Sequence, residues 1–364
     1  MNNIEKLKSL ATRYCNLNLS DYCVAVFGAG NTSALYKKCF DYETITEHIT
    51  CFIDNGVSKQ GTNFLDKKVV SLASFLSQPS KQPKLVLISS ANINFCNSIK
   101  QQLSGQVDFL TIDEYVFSKR INEILVVLDM LEDDFSKRVY AEMIIARMTN
   151  QSFAEDIYTK DQYFCLPPFL DRNPNEIFVD LGAYVGDSIE QYIQCKSGVF
   201  SKIFAFEPDA RNMDALLCRM ERICKEWAIA KDRIVCEKAG VGRRSENLSI
   251  SNSNADSPSL GARIADTFDT NAQHVQIYAM DDYFANQKVG FIKADIENFE
   301  LDMLIDAKKT ILRDSPILAI SIYHNALDMW KIVLWLSELL PNYAFKIRQH
   351  SHLLLDTVLY AYPK

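Results

Sequence analysis

Residues 176–193, EIFVDLGAYVGDSIEQYI, constrain this chain more than any other stretch. The apolar run Ile177-Phe178-Val179 reads as a buried parallel strand, and Asp180 stands where that strand should end. Gly182 and Gly186 come next, followed by a helix-like run from Ser188 to Ile193. The order is therefore strand, glycine turn, helix. Glycines let backbone amides approach a ligand with no Cβ in the way. The start of a helix adds free N–H donors and partial positive charge. Such a turn suits the carboxylate or phosphate end of a nucleotide-like cofactor.

Alternating strands and helices surround this stretch on both sides, which predicts an α/β protein. Upstream, strands are expected at Tyr22–Phe27, Ile49–Ile53, Lys84–Ser89 and Val107–Leu110, with a short extended piece at Val69–Leu72. Helices are expected over residues 1–20, Ala34–Phe40, the segment ending at Leu76, and Phe95–Leu103. Residues 118–170 change character. Ile124, Leu125, Leu128, Leu131, Phe135, Val139, Met143 and Ile144 recur at helical spacing, and Glu132-Asp133-Asp134 breaks the run into two helices. Pro167-Pro168 and Asn173-Pro174 punctuate its end.

From residue 176 the alternation resumes. Strands are expected at Ile203–Phe206, Arg233–Cys236, Val275–Ala279, Gly290–Ala294 and Pro316–Tyr323, with a closing pair at Tyr343–Arg348 and Leu353–Tyr360. Helices are expected at Ala210–Trp227, Leu301–Leu312 and Ala326–Leu340. Residues 238–261, rich in Ser, Asn and Gly, read as a loop excursion with a short strand around Leu248. The predicted organisation is a Rossmann-like domain over 1–117, a helical connector over 118–170, and a second α/β domain over 171–364.

With 364 residues, two domains are expected rather than one. The net charge of −7 argues against nucleic acid as the main partner, because a phosphate backbone calls for a basic face. The ten cysteines are scattered with no CxxC pair, so they read as small buried hydrophobes in a reducing compartment. MNNIEKLKSL has no apolar signal core, and no uninterrupted apolar run approaches ~18 residues. A cytoplasmic protein without a transmembrane segment is the expectation.

Three strands of the C-terminal half are read as ending in acids, Asp180, Glu207 and Asp295. Glu207 follows Gly186 by 21 residues, where a ribose-binding carboxylate belongs in a βαβ nucleotide unit. With these acids in place, VDLGAYVGDS (179–188), FAFEPDARNMDAL (204–216), FIKADIENFELDML (291–304), LAISIYHNALDMW (318–330) and TVLYAY (357–362) resemble the FkbM family of S-adenosylmethionine-dependent methyltransferases. The resemblance covers residues 176–364. It implies a class I methyltransferase domain whose seven-strand, mainly parallel sheet closes with an antiparallel hairpin. It also implies methyl transfer to a hydroxyl, often of a sugar.

On that resemblance, the cofactor would lie against Asp180, Gly182, Ala183, Tyr184, Gly186, Asp187, Ser188, Glu207, Pro208 and Asp295. Asp295, Glu297 and His324 would form the catalytic group, with His324 or Asp295 as base. No metal ligand is assigned, although a divalent cation held by the carboxylates could lower the hydroxyl pKa instead. The acceptor would be a small molecule or a glycan, and a homo-oligomer is compatible with the sequence. Two positions depart from the family pattern. Tyr184 replaces the asparagine of its GAN-x-G turn, and Glu297-Asn298-Phe299-Glu300 replaces its EGAE, a loss of glycine expected to change the backbone there.

Each residue also has a plain structural reading. Asp180 can be a turn acid, Asp295 and Glu297 solvated acids beside a helix start, and His324 a packed or capping histidine. His350-Ser351-His352 reads as a solvated hairpin turn.

In the first domain, Gly28-Ala29-Gly30-Asn31-Thr32-Ser33 has Ser33 where the third fingerprint glycine would stand, and Asp54 ends the next strand, 24 residues after Gly30. GAGNTS with FIDNG (52–56) resembles nucleotide-sugar-binding Rossmann-like domains; scaffolding is the other reading. Two further functions stay open. One is a sugar-modifying enzyme using NAD(P) or a nucleotide sugar, against which the missing third glycine weighs. The other is a regulatory protein that binds S-adenosylmethionine without turnover.

Overall fold

A computed structural model describes residues 3–90, 92–242, 246–251, 263–265 and 273–364. The chain divides into two compact units. The first comprises Met1–Tyr158 with Tyr323–Trp330 and Ser351–Leu355. The second comprises Thr159–Ile322 with Lys331–His350 and Asp356–Lys364.

The first unit is built on β1 (Cys23–Phe27), β2 (Ile49–Ile53), β3 (Asn63–Phe64), β4 (Lys67–Val70), β5 (Lys84–Ile88) and β6 (Asp108–Thr111), in the order β3-β4-β2-β1-β5-β6. All neighbours are parallel except β3 and β4. After their first residue, β1 and β5 are buried throughout, as expected for parallel strands covered on both faces. The strand order reverses between β1 and β5, and a ligand crevice opens at such a point. The β3–β4 hairpin carries none of the usual sequence signal. Its two-residue turn uses Leu65 at φ 44° and Asp66 at φ 60°, left-handed positions that glycine or asparagine ordinarily fill.

Helices of this unit end where their side chains say they should. Thr111 and Glu114 form a reciprocal capping box at the start of Ile112–Lys119. Asp133 accepts from Ser136 N and opens Asp134–Thr149 after the predicted acidic break. Inside that apolar helix Arg147 is 3% exposed; it pairs with Asp113 at 2.8 Å, and the same carboxylate accepts from Tyr36 Oη. The helix expected over 1–20 is shorter, Asn3–Ala11, because Asn18 caps a separate short turn at Leu19–Asp21. Ala34–Phe40 is also divided, into Asn31–Leu35 and Lys37–Tyr42.

The second unit contains β7 (Ile177–Leu181), β8 (Lys202–Phe206), β9 (Ile234–Glu237), β10 (Ala239–Val241), β11 (Glu246–Ser251), β12 (Arg263–Ala265), β13 (Gln273–Tyr278), β14 (Phe291–Ala294), β15 (Ile317–Ser321), β16 (Tyr343–Gln349) and β17 (Thr357–Pro363). Its main sheet runs β16-β17-β15-β14-β7-β8-β9 and is parallel except around β17, which pairs antiparallel with both neighbours. This is the mainly parallel seven-strand sheet with a closing hairpin that the sequence predicts.

A second sheet runs β10-β13-β11-β12. The strand expected near Leu248 is β11, while residues 243–245 and 252–262 lie outside the described residues. The helix expected over 301–312 is two, Glu300–Asp306 and Lys308–Asp314, and the last strand starts at Thr357 rather than Leu353. Beneath the sheet Phe164, Phe169, Phe178, Tyr192 and Phe291 interlock, with Phe178 and Tyr192 stacked at 4.3 Å.

Candidate functional site

Strand order in the main sheet reverses at β7, which has β8 on one side and β14 on the other. The crevice outside the carboxyl ends of β7 and β14 is therefore where a ligand of this fold would lie. Three loops meet that edge: 182–186 after β7, Glu207 and Pro208 after β8, and 295–299 after β14.

The first loop is a compact turn. Gly182 N and Ala183 N both donate to Phe206 O at 3.0 Å, and Gly186 N donates to Ala183 O at 2.7 Å. Gly182 and Gly186 hold φ 77° and 83°, which glycine adopts without penalty. Gly182 is also a steric necessity: a Cβ there would stand 1.9 Å from Asp295 O. The backbones after β7 and β14 thus touch at the point where strand order reverses.

Asp180 is fully buried inside β7 rather than at its end. Oδ1 pairs with Lys293 Nζ at 2.8 Å, and Oδ2 accepts from Ser188 Oγ. Lys293, in the middle of β14, also donates to Gly182 O at 2.6 Å. Burial works against the ammonium, but Asp180 and Asp295 more than offset it and hold Lys293 above its ordinary value. This buried pair clamps the turn, since it ties β7, β14 and the start of helix Asp187–Cys195 together. The signal for Lys293 is legible in the sequence: a lone charge between Ile292 and Ala294 in an apolar strand needs a partner.

Glu207 is 5% exposed. Oε2 accepts from Tyr184 N at 2.9 Å, and Oε1 accepts from Asp209 N at 2.9 Å and Asn212 Nδ2 at 3.3 Å. Burial pushes its carboxyl up, and these donors pull against that shift. Asp209 in turn caps helix Ala210–Glu226. Asp187 is exposed and Ser188 is buried against Asp180.

Tyr184 sits at φ 48°, a left-handed conformation that asparagine tolerates better than an aromatic residue. Tyr184→Asn should therefore stabilise the protein by ~1 kcal/mol, raising Tm by about 2–4 °C. A thermal melt showing no rise would mean that the turn is not strained at this residue.

The third loop contains Glu297 at φ 53° and Asn298 at φ 78°. Asn298 holds a left-handed conformation, which asparagine tolerates better than most residues. Glu300 Oε1 accepts from Ile296 N at 2.8 Å and closes the loop. Asp295 Oδ2 accepts from Tyr163 Oη at 2.8 Å, and the Tyr163 ring lies 5.2 Å from Lys293 Nζ.

Tyr163 itself is pinned, since its N–H donates to Tyr360 Oη at 2.8 Å. That hydroxyl is 2.7 Å from His350 Nε2, and His350 Nδ1 is 2.7 Å from Thr159 O. A carbonyl only accepts, so Nδ1 carries the proton and Nε2 accepts from Tyr360. His350 is thus locked in a hydrogen-bond network rather than solvated in a hairpin turn. His324 belongs to the first unit, where its ring is 4.1 Å from that of Tyr323.

Burial holds His350 down at about 4, below its ordinary 6.5. A histidine depressed in the fold stabilises above its unfolded pKa, and that contribution disappears as pH falls through the folded one. Stability should therefore decline between pH ~6.5 and ~4, by ~3 kcal/mol at most. Urea melts of His350→Gln should show a flatter pH dependence across that window; an unchanged slope would show that His350 does not control it.

Residues 180–354 match the methyltransferase FkbM domain family. This part of the chain is similar to FkbM methyltransferase domains. Methyltransferase FkbM from Methylobacillus flagellatus KT is similar over 98% of each chain, at 18% identity and a TM-score of 0.59, which shows the shared fold. An rRNA methylase from Streptococcus thermophilus matches 57% of this chain and 98% of its own, at 13% identity and a TM-score of 0.35. Aeropyrum pernix fibrillarin, solved with natively bound S-adenosyl-L-methionine, matches 52% of this chain and 67% of its own, at 12% identity and a TM-score of 0.32. No curated protein matches the chain. Among the described residues no helix is long and apolar enough to cross a membrane.

Proposed function

We propose that the FkbM-like domain uses S-adenosylmethionine to methylate a hydroxyl of a carbohydrate or glycosylated metabolite. One observation carries the cofactor reading: the glycine turn after β7, joined through Tyr184 N to the Glu207 carboxylate after β8. A carboxylate oxygen has two acceptor sites, so Oε2 keeps one for a ribose hydroxyl. The turn of Gly182, Ala183, Tyr184 and Gly186, with Asp187 at the helix start, would hold the charged end of the cofactor. Asp180 and Ser188 would act through the turn they clamp, and Pro208 would border the ribose. When bound, S-adenosylmethionine supplies an electrophilic methyl group on a sulfonium.

The chain's own residues would do the rest. A sugar hydroxyl is a poor nucleophile, so alignment and proton removal are what the protein can add. Asp295 would take the hydroxyl proton, with Glu297 orienting the acceptor. Tyr163 would fix the Asp295 carboxylate through its hydroxyl. The Tyr184 ring would cover the cofactor or line the acceptor side. Tyr184→Ala should therefore weaken cofactor affinity or turnover, and an unchanged affinity together with an unchanged turnover would remove the ring from the site.

Thermal melts of the full chain with S-adenosylmethionine, S-adenosylhomocysteine and NAD test the cofactor. Ligand at 100 times Kd should stabilise by about 2.7 kcal/mol. A rise with NAD alone would overturn the proposal. Methyl-labelled cofactor offered with cellular glycans tests the acceptor. Label in a glycan methyl ether is expected, and label found only in protein or RNA would refute the hydroxyl reading. The pH profile of Asp295→Asn would then test the base: loss of the acidic limb is expected, and an unchanged profile would remove Asp295 from that role.

A further inference from the structure

The first unit repeats the local geometry of the cofactor turn, outside residues 180–354. After β1, Gly28 holds φ 112°, and Ala29 N donates to Asp54 Oδ2 at 3.0 Å. Asp54 follows β2, just as Glu207 follows β8, and each acid accepts from an amide of the neighbouring glycine turn. Asp54 also accepts from Gly56 N at 2.8 Å on Oδ1 and from Lys59 Nζ at 3.0 Å on Oδ2. Burial pushes this carboxyl up, but those three donors hold it below its ordinary value. Oδ1 keeps one acceptor site.

These groups border a cavity of about 390 Å³ at the carboxyl ends of β1, β2 and β5, where strand order reverses. Three further features point to a ligand there. Ser89, which lines the cavity, is 2% exposed, and its hydroxyl has no hydrogen-bond partner among the described residues. A buried hydroxyl left unpaired needs an explanation, and a bound polar group supplies one. A Cβ placed on Gly30 would stand 3.4 Å from Lys59 Nζ, so the open side of the turn faces a cation. Phe95, 42% exposed, borders the same cavity, a flat apolar surface beside polar groups.

We propose that this cavity binds a nucleoside diphosphate. Lys59 and the Gly30 amide take the phosphates, Asp54 takes a ribose hydroxyl, Ser89 hydrogen-bonds the ligand, and Phe95 stacks the base. The site is separate from the methyl-transfer site, and it stands even if that reading fails.

Calorimetry of the full chain with UDP, ADP and GDP, against inorganic pyrophosphate and ribose 5-phosphate, tests it. Saturable micromolar binding of at least one nucleoside diphosphate is expected, unchanged by excess S-adenosylhomocysteine. Lys59→Met and Phe95→Ala change exposed side chains, so both variants should melt like the parent. Each should weaken nucleotide binding by about tenfold, and Phe95→Ala should leave pyrophosphate binding alone. The inference fails if no nucleoside diphosphate saturates, if S-adenosylhomocysteine displaces it, if pyrophosphate binds equally well, or if both variants keep the parent affinity.

Discussion

Gly182→Ala should abolish cofactor binding, whereas Gly186→Ala should only weaken it. Both positions have left-handed φ, so each alanine carries a conformational cost of about 1–2 kcal/mol. What differs is the obstacle. At Gly186 a Cβ would meet Leu216 Cδ1 at 2.6 Å and Met220 Cε at 2.9 Å, the ends of flexible side chains that can move. At Gly182 it would meet Asp295 O at 1.9 Å and Asp295 C at 2.9 Å, which are backbone atoms held by β14. The turn or the strand end has to shift, and both border the proposed cofactor crevice. Calorimetry with S-adenosylhomocysteine on the two variants, each checked by circular dichroism, would test this. Equal affinities would show that the contact between the turn and Asp295 does not shape the site.

Lys293→Met should strongly destabilise the second unit. It leaves the Asp180 carboxylate buried and unpaired, which costs about 3–5 kcal/mol. For a unit of this size that corresponds to a Tm lower by roughly 10 °C. Asp180→Asn should also destabilise, because it strands the ammonium of Lys293 and weakens the acceptor for Ser188 Oγ. The double variant Asp180→Asn/Lys293→Met should lose less than the sum of the two, since neither charge is then left alone. A Lys293→Met melt within a degree or two of the parent would mean that the clamp adds little to stability.

These predictions separate what was readable in the chain from what was not. The mainly parallel α/β class, the strand–turn–helix at 177–193, and the closing hairpin follow from local patterns. Apolar runs of five residues, glycines at turns and periodic helices are encoded within a few residues of one another. Element ends were less legible. The helices at 34–40 and 301–312 each divide in two, and the breaks at Tyr36 and Ala307 have no glycine or proline to announce them. The β3–β4 turn was invisible for the same reason, with leucine and aspartate in left-handed positions.

Within the candidate site, residue types were legible and their partners were not. Asp180, Gly182, Gly186, Glu207 and Asp295 stand out by motif and spacing. Asp180 being spent on Lys293, Glu207 bracing the Tyr184 amide, and Tyr163 holding Asp295 all join residues far apart in sequence. Such pairs depend on which strands become neighbours. Sheet order is decided by long-range packing, which local periodicity does not carry. The sequence by itself determined a glycine turn flanked by strand-end acids. Tertiary structure decided that Asp180 faces inward to a lysine, and that the turn rests against the backbone of Asp295, because only the adjacency of β7 and β14 brings those atoms together.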